Sequence, residues 1–247
     1  MGLRGRLAVL SEGYSNADFH TRIVATYNFV RETLGFVAEQ RATIASLIAA
    51  GDRRTVDSVT VRSILGPPTR QDVIAEITEP AGEGAGGFAR RKRTGVYRTL
   101  RMPVFDRFVA SRREALPAGY LLPQRFGELV TLLRRQGVVV EQLRSAWSGQ
   151  AERFAVDSVV VEPLFEGHRT VRVEGRWGAP DSLQIKPGWY LVRTAQPLGV
   201  LAAYLIEPAS EDGLVTWNFL DRELQAGADY PLLRTRAALN VAAEQVE

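Results

Sequence analysis

The sequence contains no cysteine and only two histidines, His20 and His168, in 247 residues. Without cysteine there can be no disulfide, thiolate nucleophile, iron–sulfur cluster or cysteine-type zinc site. Two imidazoles also leave little for a histidine-built metal centre or a nucleophile relay. Lysine is as scarce: Lys92 and Lys186 are the only ones, so the positive charge is almost all arginine. The formal net charge of +3 is small for this length, and no nucleic-acid partner is expected. No apolar run approaches the roughly 18 residues that cross a bilayer, so no membrane span is expected. The first ten residues hold an apolar run of only Leu7–Leu10, too short for the core of an export signal.

What is present is an ordinary globular composition, 45% hydrophobic and 24% charged, enough for one large domain or two smaller ones. Residues 6–11 read as a short buried strand that ends at Glu12-Gly13. Ser15 followed by Asp18 is a capping-box-like helix start. Apolar residues then recur with helical period at Ile23, Tyr27, Val30, Leu34, Val37, Ile44 and Ile48. The pattern is interrupted at Arg41, Gly35 offers a break, and Gly51 a stop.

From Thr55 the period becomes that of strands: Thr55–Ile64, Val73–Thr78, Val96–Met102 and Val104–Ala110 are expected to be extended. The glycine-rich stretch Glu79–Gly95, with its basic run Arg90–Arg93, is expected to be a solvated hairpin loop. Tyr120–Pro123 leads into a short helix carrying Phe126, Leu129, Val130 and Leu133 on one face and closed by Gly137. Strands are expected at Val138–Leu143, Phe154–Val161, Thr170–Glu174, Trp189–Thr194 and Leu214–Leu220, with a helix from Pro197 to Ile206. After Pro231 the sequence reads as a tail. The fold class is therefore α+β: a strand and long helix in residues 1–51, then a β-rich region with short helices in residues 52–247.

Few residues suggest chemistry. Glu12, a carboxylate at a strand end before a glycine, stands where α/β active-site residues often stand. From spacing alone the favoured reading is a strand-end carboxylate paired with Arg4 or Arg6. His168, between Glu166-Gly167 and a strand, reads as a structural hydrogen-bonding residue. His20 falls in the first turns of the helix and should be exposed. Trp177, Trp189, Tyr190 and Trp217 could form an aromatic platform for sugars or peptides, but strand positions with apolar neighbours favour the core for Trp189 and Trp217. Glu207, Asp212 and Asp221 are weak candidates for a glycosidase carboxylate pair.

The segments Gly2–Ser15 and Arg22–Val30 resemble the end of the catalytic domain of the zinc carboxypeptidases, the carboxypeptidase A-like metallopeptidases. Leu116-Pro-Ala-Gly-Tyr-Leu-Leu-Pro123, Phe165-Glu-Gly-His-Arg169, Pro187–Gly199, Leu205-Ile-Glu-Pro208 and Asp212–Asp221 are similar to the extra C-terminal region of large bacterial members. The resemblance implies that Glu12 is the family's general base, which takes a proton from zinc-bound water. It implies a parent that hydrolyses the C-terminal bonds of peptides with zinc, and that is secreted or periplasmic.

The family's zinc is held by a His-x-x-Glu pair and a later His, all before that glutamate. Only eleven residues precede Glu12 and none is histidine; three residues after His20 and His168 stand Ile23 and Val171, not glutamate. This chain is therefore expected to be a C-terminal piece that holds no zinc and is inactive alone. Its helix would pack on a missing N-terminal catalytic part. The alternative is a non-catalytic interaction or scaffold module.

Overall fold

The computed structural model describes residues 2–15, 17–53, 56–83 and 89–247. The fold is α+β and rich in strands, as expected. In chain order, helices α1 (Phe19–Glu39) and α2 (Arg41–Arg53) precede β1 (Ser58–Leu65), β2 (Thr69–Glu83), β3 (Ala89–Val104) and β4 (Phe108–Ala115). Next come β5 (Gly119–Leu122), α3 (Gly127–Arg135), β6 (Glu141–Leu143), β7 (Trp147–Ala151), β8 (Phe154–Val161) and β9 (Val171–Trp177). The chain ends with β10 (Asp181–Ile185), β11 (Tyr190–Arg193), α4 (Gly199–Ile206), β12 (Leu233–Thr235) and β13 (Ala243–Gln245). They divide into two compact units. One comprises residues 1–6, 50–64 and 110–247, and the other residues 7–49 and 65–109.

The larger unit is built on a five-stranded antiparallel sheet of order β12-β5-β11-β6-β13. Its interior strand β5, between β12 and β11, is buried along its whole length, which is why Gly119-Tyr-Leu-Leu122 reads as a continuous apolar run rather than an alternating one. The pleat divides these residues between two cores. Tyr120, Leu122 and Val192 meet Leu129, Val130 and Leu133 of α3 and Ala202, Ala203 and Ile206 of α4. Leu121, Leu191 and Leu233 enter a smaller core with Leu143, Ile185 and Leu239. The hairpin β8-β9, the pair β7-β10 and most of the pair β1-β4, which brings Val59 and Val61 to the larger core, lie in the same unit.

Two sequence expectations fail in this unit. Leu214–Leu220 is a run of turns rather than a strand. Trp217 N–H donates to the Gly213 carbonyl at 3.1 Å and Phe219 N–H to that of Leu214 at 3.1 Å, while Asn218 takes a left-handed φ of 66°. Leu214, Val215 and Leu220 face the core, a spacing that an alternating strand would not give. Nor is the region after Pro231 a tail: Leu232 to Thr235 are buried, and β12 pairs with β5. Proline at the threshold of a strand costs no ladder bond, so Pro231 marks a start rather than an end.

In the smaller unit, α1 and α2 replace the single long helix. The interruption falls at Gln40, and Gly35 lies within an unbroken helix. Asp18 caps α1, its carboxylate accepting the Thr21 N–H at 2.9 Å and hydroxyl at 2.6 Å. The strand expected at 6–11 does not form. Leu7, Val9 and Leu10 are exposed in irregular chain. A strand needs a neighbour to satisfy its N–H and C=O groups, and none runs beside this segment among the described residues.

The loop expected at Glu79–Gly95 is mostly strand. β2 and β3 pair from Thr69↔Val104 to Glu83↔Ala89, with register shifts between Glu76 and Thr78 and between Pro80 and Glu83. Residues 84–88 lie outside the described residues. The basic run Arg90–Arg93 therefore lies on a strand, with Lys92 opposite Glu79 and Arg93 bonded to Glu76 at 2.8 Å. Cross-strand opposite charges of this kind support a ribbon that has little core of its own.

Candidate functional site

Glu12 is exposed, in the irregular segment before α1. Arg4 and Arg6 are engaged elsewhere: Arg6 pairs with Asp52 at 2.6 Å, and Arg4 donates to the Gln136 carbonyl at 2.7 Å. One residue on, Gly13 forms the lip of a groove of about 510 Å³ along α1. The groove wall is Phe19, Ile23, Tyr27 and Val30, with the stem of Arg22 packed 3.7 Å from where a Gly13 Cβ would lie. The Arg22 Nε is buried and has no hydrogen-bond partner among the described residues. A groove with this apolar wall could seat an apolar group.

No three His, Cys, Asp or Glu side chains are grouped to hold a metal among the described residues. The zinc implied by the resemblance does not fit the residues described. His20 is exposed in the first turn of α1, in the smaller unit. His168 lies in the larger unit, in the turn between β8 and β9, stacked on Trp217 with ring centroids 4.7 Å apart. Trp217 is 51% exposed, not in the core as its neighbours suggested. Trp189 packs against the smaller core, and Trp177 and Tyr190, partly buried, pack against the larger one. Asp212 accepts the Trp217 indole N–H, and Asp221 the Asn218 amide at 2.9 Å.

Glu207 is different. It is fully buried just after α4, where it accepts the Tyr120 hydroxyl at 2.7 Å and the Trp177 indole N–H at 2.8 Å. Arg234, on β12, lies 3.3 Å from Glu207 and 3.3 Å from Glu114, and its Nε bonds to Glu152. Its guanidinium sits over the Trp177 ring at 4.2 Å. Arg236 closes the network on Glu152 at 2.9 Å. Sequence reading missed Arg234, Glu152 and Tyr120. The available signal was an arginine directly after the apolar pair Leu232-Leu233, since a charge in a buried strand needs partners.

Burial pushes the Glu207 carboxyl above the usual carboxylate range, against the opposing pull of Arg234, Tyr120 and Trp177. Burial also raises Glu152, but there the hydrogen bonds from Arg236 and Arg234 prevail and its carboxyl is held low. The two carboxyls thus bias stability oppositely. For Glu207 the folded state binds the proton more tightly than the unfolded state, so its contribution is full in acid and is lost as pH rises through the raised pKa. Glu152 contributes above the ordinary carboxylate range and loses that contribution as pH falls. Glu207→Gln should remove the first effect alone. The melting temperature of the variant relative to the natural protein should rise from about pH 4 to about pH 7. A difference that is flat or falls over that range would contradict the assignment.

A carboxypeptidase of Trichophyton rubrum, carboxypeptidase 2, is 31% identical over 121 residues, 49% of this chain and 22% of that protein. Carboxypeptidase 2 of Trichophyton tonsurans is 23% identical over 248 residues, 95% of this chain and 42% of its own length. The chain is distantly similar to these carboxypeptidases. The Trichophyton equinum protein of the same name gives the same picture, 23% over 250 residues, 96% of this chain and 42% of that one. The chain spans less than half the length of these fungal relatives. No family model matches it, and no solved structure matches it. No helix among the described residues is long and apolar enough to cross a membrane.

Proposed function

We propose that this chain is the C-terminal part of a zinc metallocarboxypeptidase-like hydrolase and is inactive alone. Residues 1–51 would end the catalytic domain and residues 52–247 form an accessory domain with no chemistry of its own. The observation that carries the reading is coverage: alignments with the fungal carboxypeptidases run through 95% and 96% of this chain but 42% of theirs. Peptides are the substrates in this reading. Zinc and the groups that grip the peptide would come from residues outside these 247. Glu12 serves as the proton acceptor of the shared site. Its exposure beside the groove at Gly13 supports that role. Phe19, Ile23 and Tyr27 of α1 are exposed and would meet the catalytic part. The parent would act outside the cytoplasm.

The purified chain should contain substoichiometric zinc by mass spectrometry and should not hydrolyse N-blocked dipeptides. The codons upstream of Met1 should continue in frame through a second His to a His-x-x-Glu. One tightly held zinc, with turnover that Glu12→Gln abolishes, would make the chain an enzyme by itself. An in-frame stop immediately upstream would instead make it a free-standing module, with its function in residues 52–247.

A further inference from the structure

The larger unit holds a second concavity, far in sequence from Glu12, of about 370 Å³. That is within the range small ligands occupy, about 300–1,000 Å³. Its floor is apolar: Leu183 and Ile185 of β10 and Trp189 before β11. Its rim carries Arg125, Arg153 and Asp229. Arg125 is committed, 3.0 Å from Glu223 and stacked over Phe126 at 4.5 Å. Arg153 and Asp229 are not. Their guanidinium and carboxylate stand 3.8 Å apart, and both side chains are about half exposed, at 44% and 53%. An ion pair that open and that long contributes little, so exchanging its partners for those of a ligand costs little.

The backbone beneath the pair is fixed. Asp229 bridges Ala155, Tyr230 N–H donates to the Phe154 carbonyl at 2.8 Å, and the Arg153 carbonyl accepts the Gly178 N–H at 2.8 Å. Two opposite charges, adjacent and preset above an apolar floor, complement a ligand with the same three features.

We infer that this cleft binds a free α-amino acid with an apolar side chain. The ligand carboxylate meets Arg153, the ammonium meets Asp229, and the side chain lies on Leu183, Ile185 and Trp189. The α-amino acid is selected over longer zwitterions because its two charges sit on one carbon, as close together as the protein's pair. A dipeptide separates its termini by a further residue and cannot satisfy both at once. The inference is independent of any role for Glu12.

Calorimetric titration of the full chain with L-phenylalanine tests it. Binding should be detectable in or below the millimolar range. N-acetyl-L-phenylalanine, L-phenylalaninamide and glycyl-L-phenylalanine should each bind at least about tenfold more weakly, since each loses or displaces one charge. Arg153→Gln and Asp229→Asn should each weaken L-phenylalanine by about tenfold or more, with far-UV circular dichroism unchanged. No binding up to the solubility limit would overturn the inference. So would equal affinity for any of the three analogues, or unchanged affinity in either folded variant. The analogue series needs no substitution, so it decides the matter even if a variant fails to fold.

Discussion

Arg234→Met should cost about 3–5 kcal/mol of stability at neutral pH, the usual penalty for removing one partner from a buried ion pair. Arg234 is 4% exposed and serves Glu152, Glu114 and Glu207 at once. The three carboxylates do not lose equally. Glu114 keeps Arg112 at 3.0 Å, and Glu152 keeps Arg236 at 2.9 Å. Among the described residues Glu207 keeps two neutral donors, the Tyr120 hydroxyl and the Trp177 indole. The uncompensated charge therefore falls on Glu207. Methionine retains most of the arginine stem's volume, so the loss measures charge rather than a cavity.

Two further readings separate this account from simple loss of packing. The penalty should shrink as pH falls, because a protonated Glu207 no longer needs its cation. Combining the change with Glu207→Gln should recover part of the loss, since replacing both partners of a buried pair costs less than removing one. Tryptophan fluorescence during urea denaturation is the natural probe: Trp147, Trp177, Trp189 and Trp217 all lie in the larger unit. A penalty below about 1 kcal/mol, or one independent of pH, would show that Arg234 is not what balances Glu207.

The parts of this fold legible in the sequence are those where local pattern and burial agree. The strand Phe154–Val161 was legible because it is rich in β-branched residues and its first residues alternate, with Phe154 and Val156 buried. The helix ending at Gly137 was legible from its apolar stripe and from a glycine whose φ is +83°. Legibility ends where partners far along the chain decide the outcome. Leu7–Leu10 has the composition of a strand but no neighbour to pair with among the described residues. Leu232–Thr235 looked like a tail because its neighbour, β5, lies more than a hundred residues earlier.

The same limit governs the candidate sites. Glu12 stood out because it ends a short apolar run before a glycine. Glu207 drew attention only through a glycosidase comparison that its burial removes, since a carboxylate sealed among Tyr120, Trp177 and Arg234 is not open to a substrate. Arg153 and Asp229 gave no signal at all. They are ordinary surface residues that a backbone bridge between β8 and the chain before β12 brings to one rim.

The other large effect belongs to a glycine. Gly199→Ala should destabilise the larger unit by about 3 kcal/mol or more, the upper range for overpacking. A Cβ at Gly199 would lie 1.8 Å from the Thr194 carbonyl oxygen and 2.7 Å from its carbon. Those are backbone atoms, so no rotamer change relieves the overlap. Thr194 cannot retreat, because its N–H and hydroxyl are bonded to the Ala118 and Pro117 carbonyls at 3.1 and 2.5 Å. The helix must move instead, and α4 has no slack. Ala202, Ala203 and Ile206 are fully buried, and Glu207 follows directly at the helix end. Displacing α4 therefore drags Glu207 away from Tyr120 and Trp177, which adds lost hydrogen bonds to the steric cost. The variant should show both a lower denaturation midpoint and an altered Trp177 emission in the folded state. A folded-state spectrum identical to that of the natural protein, with a loss under about 1 kcal/mol, would mean that α4 and the buried network are not mechanically linked.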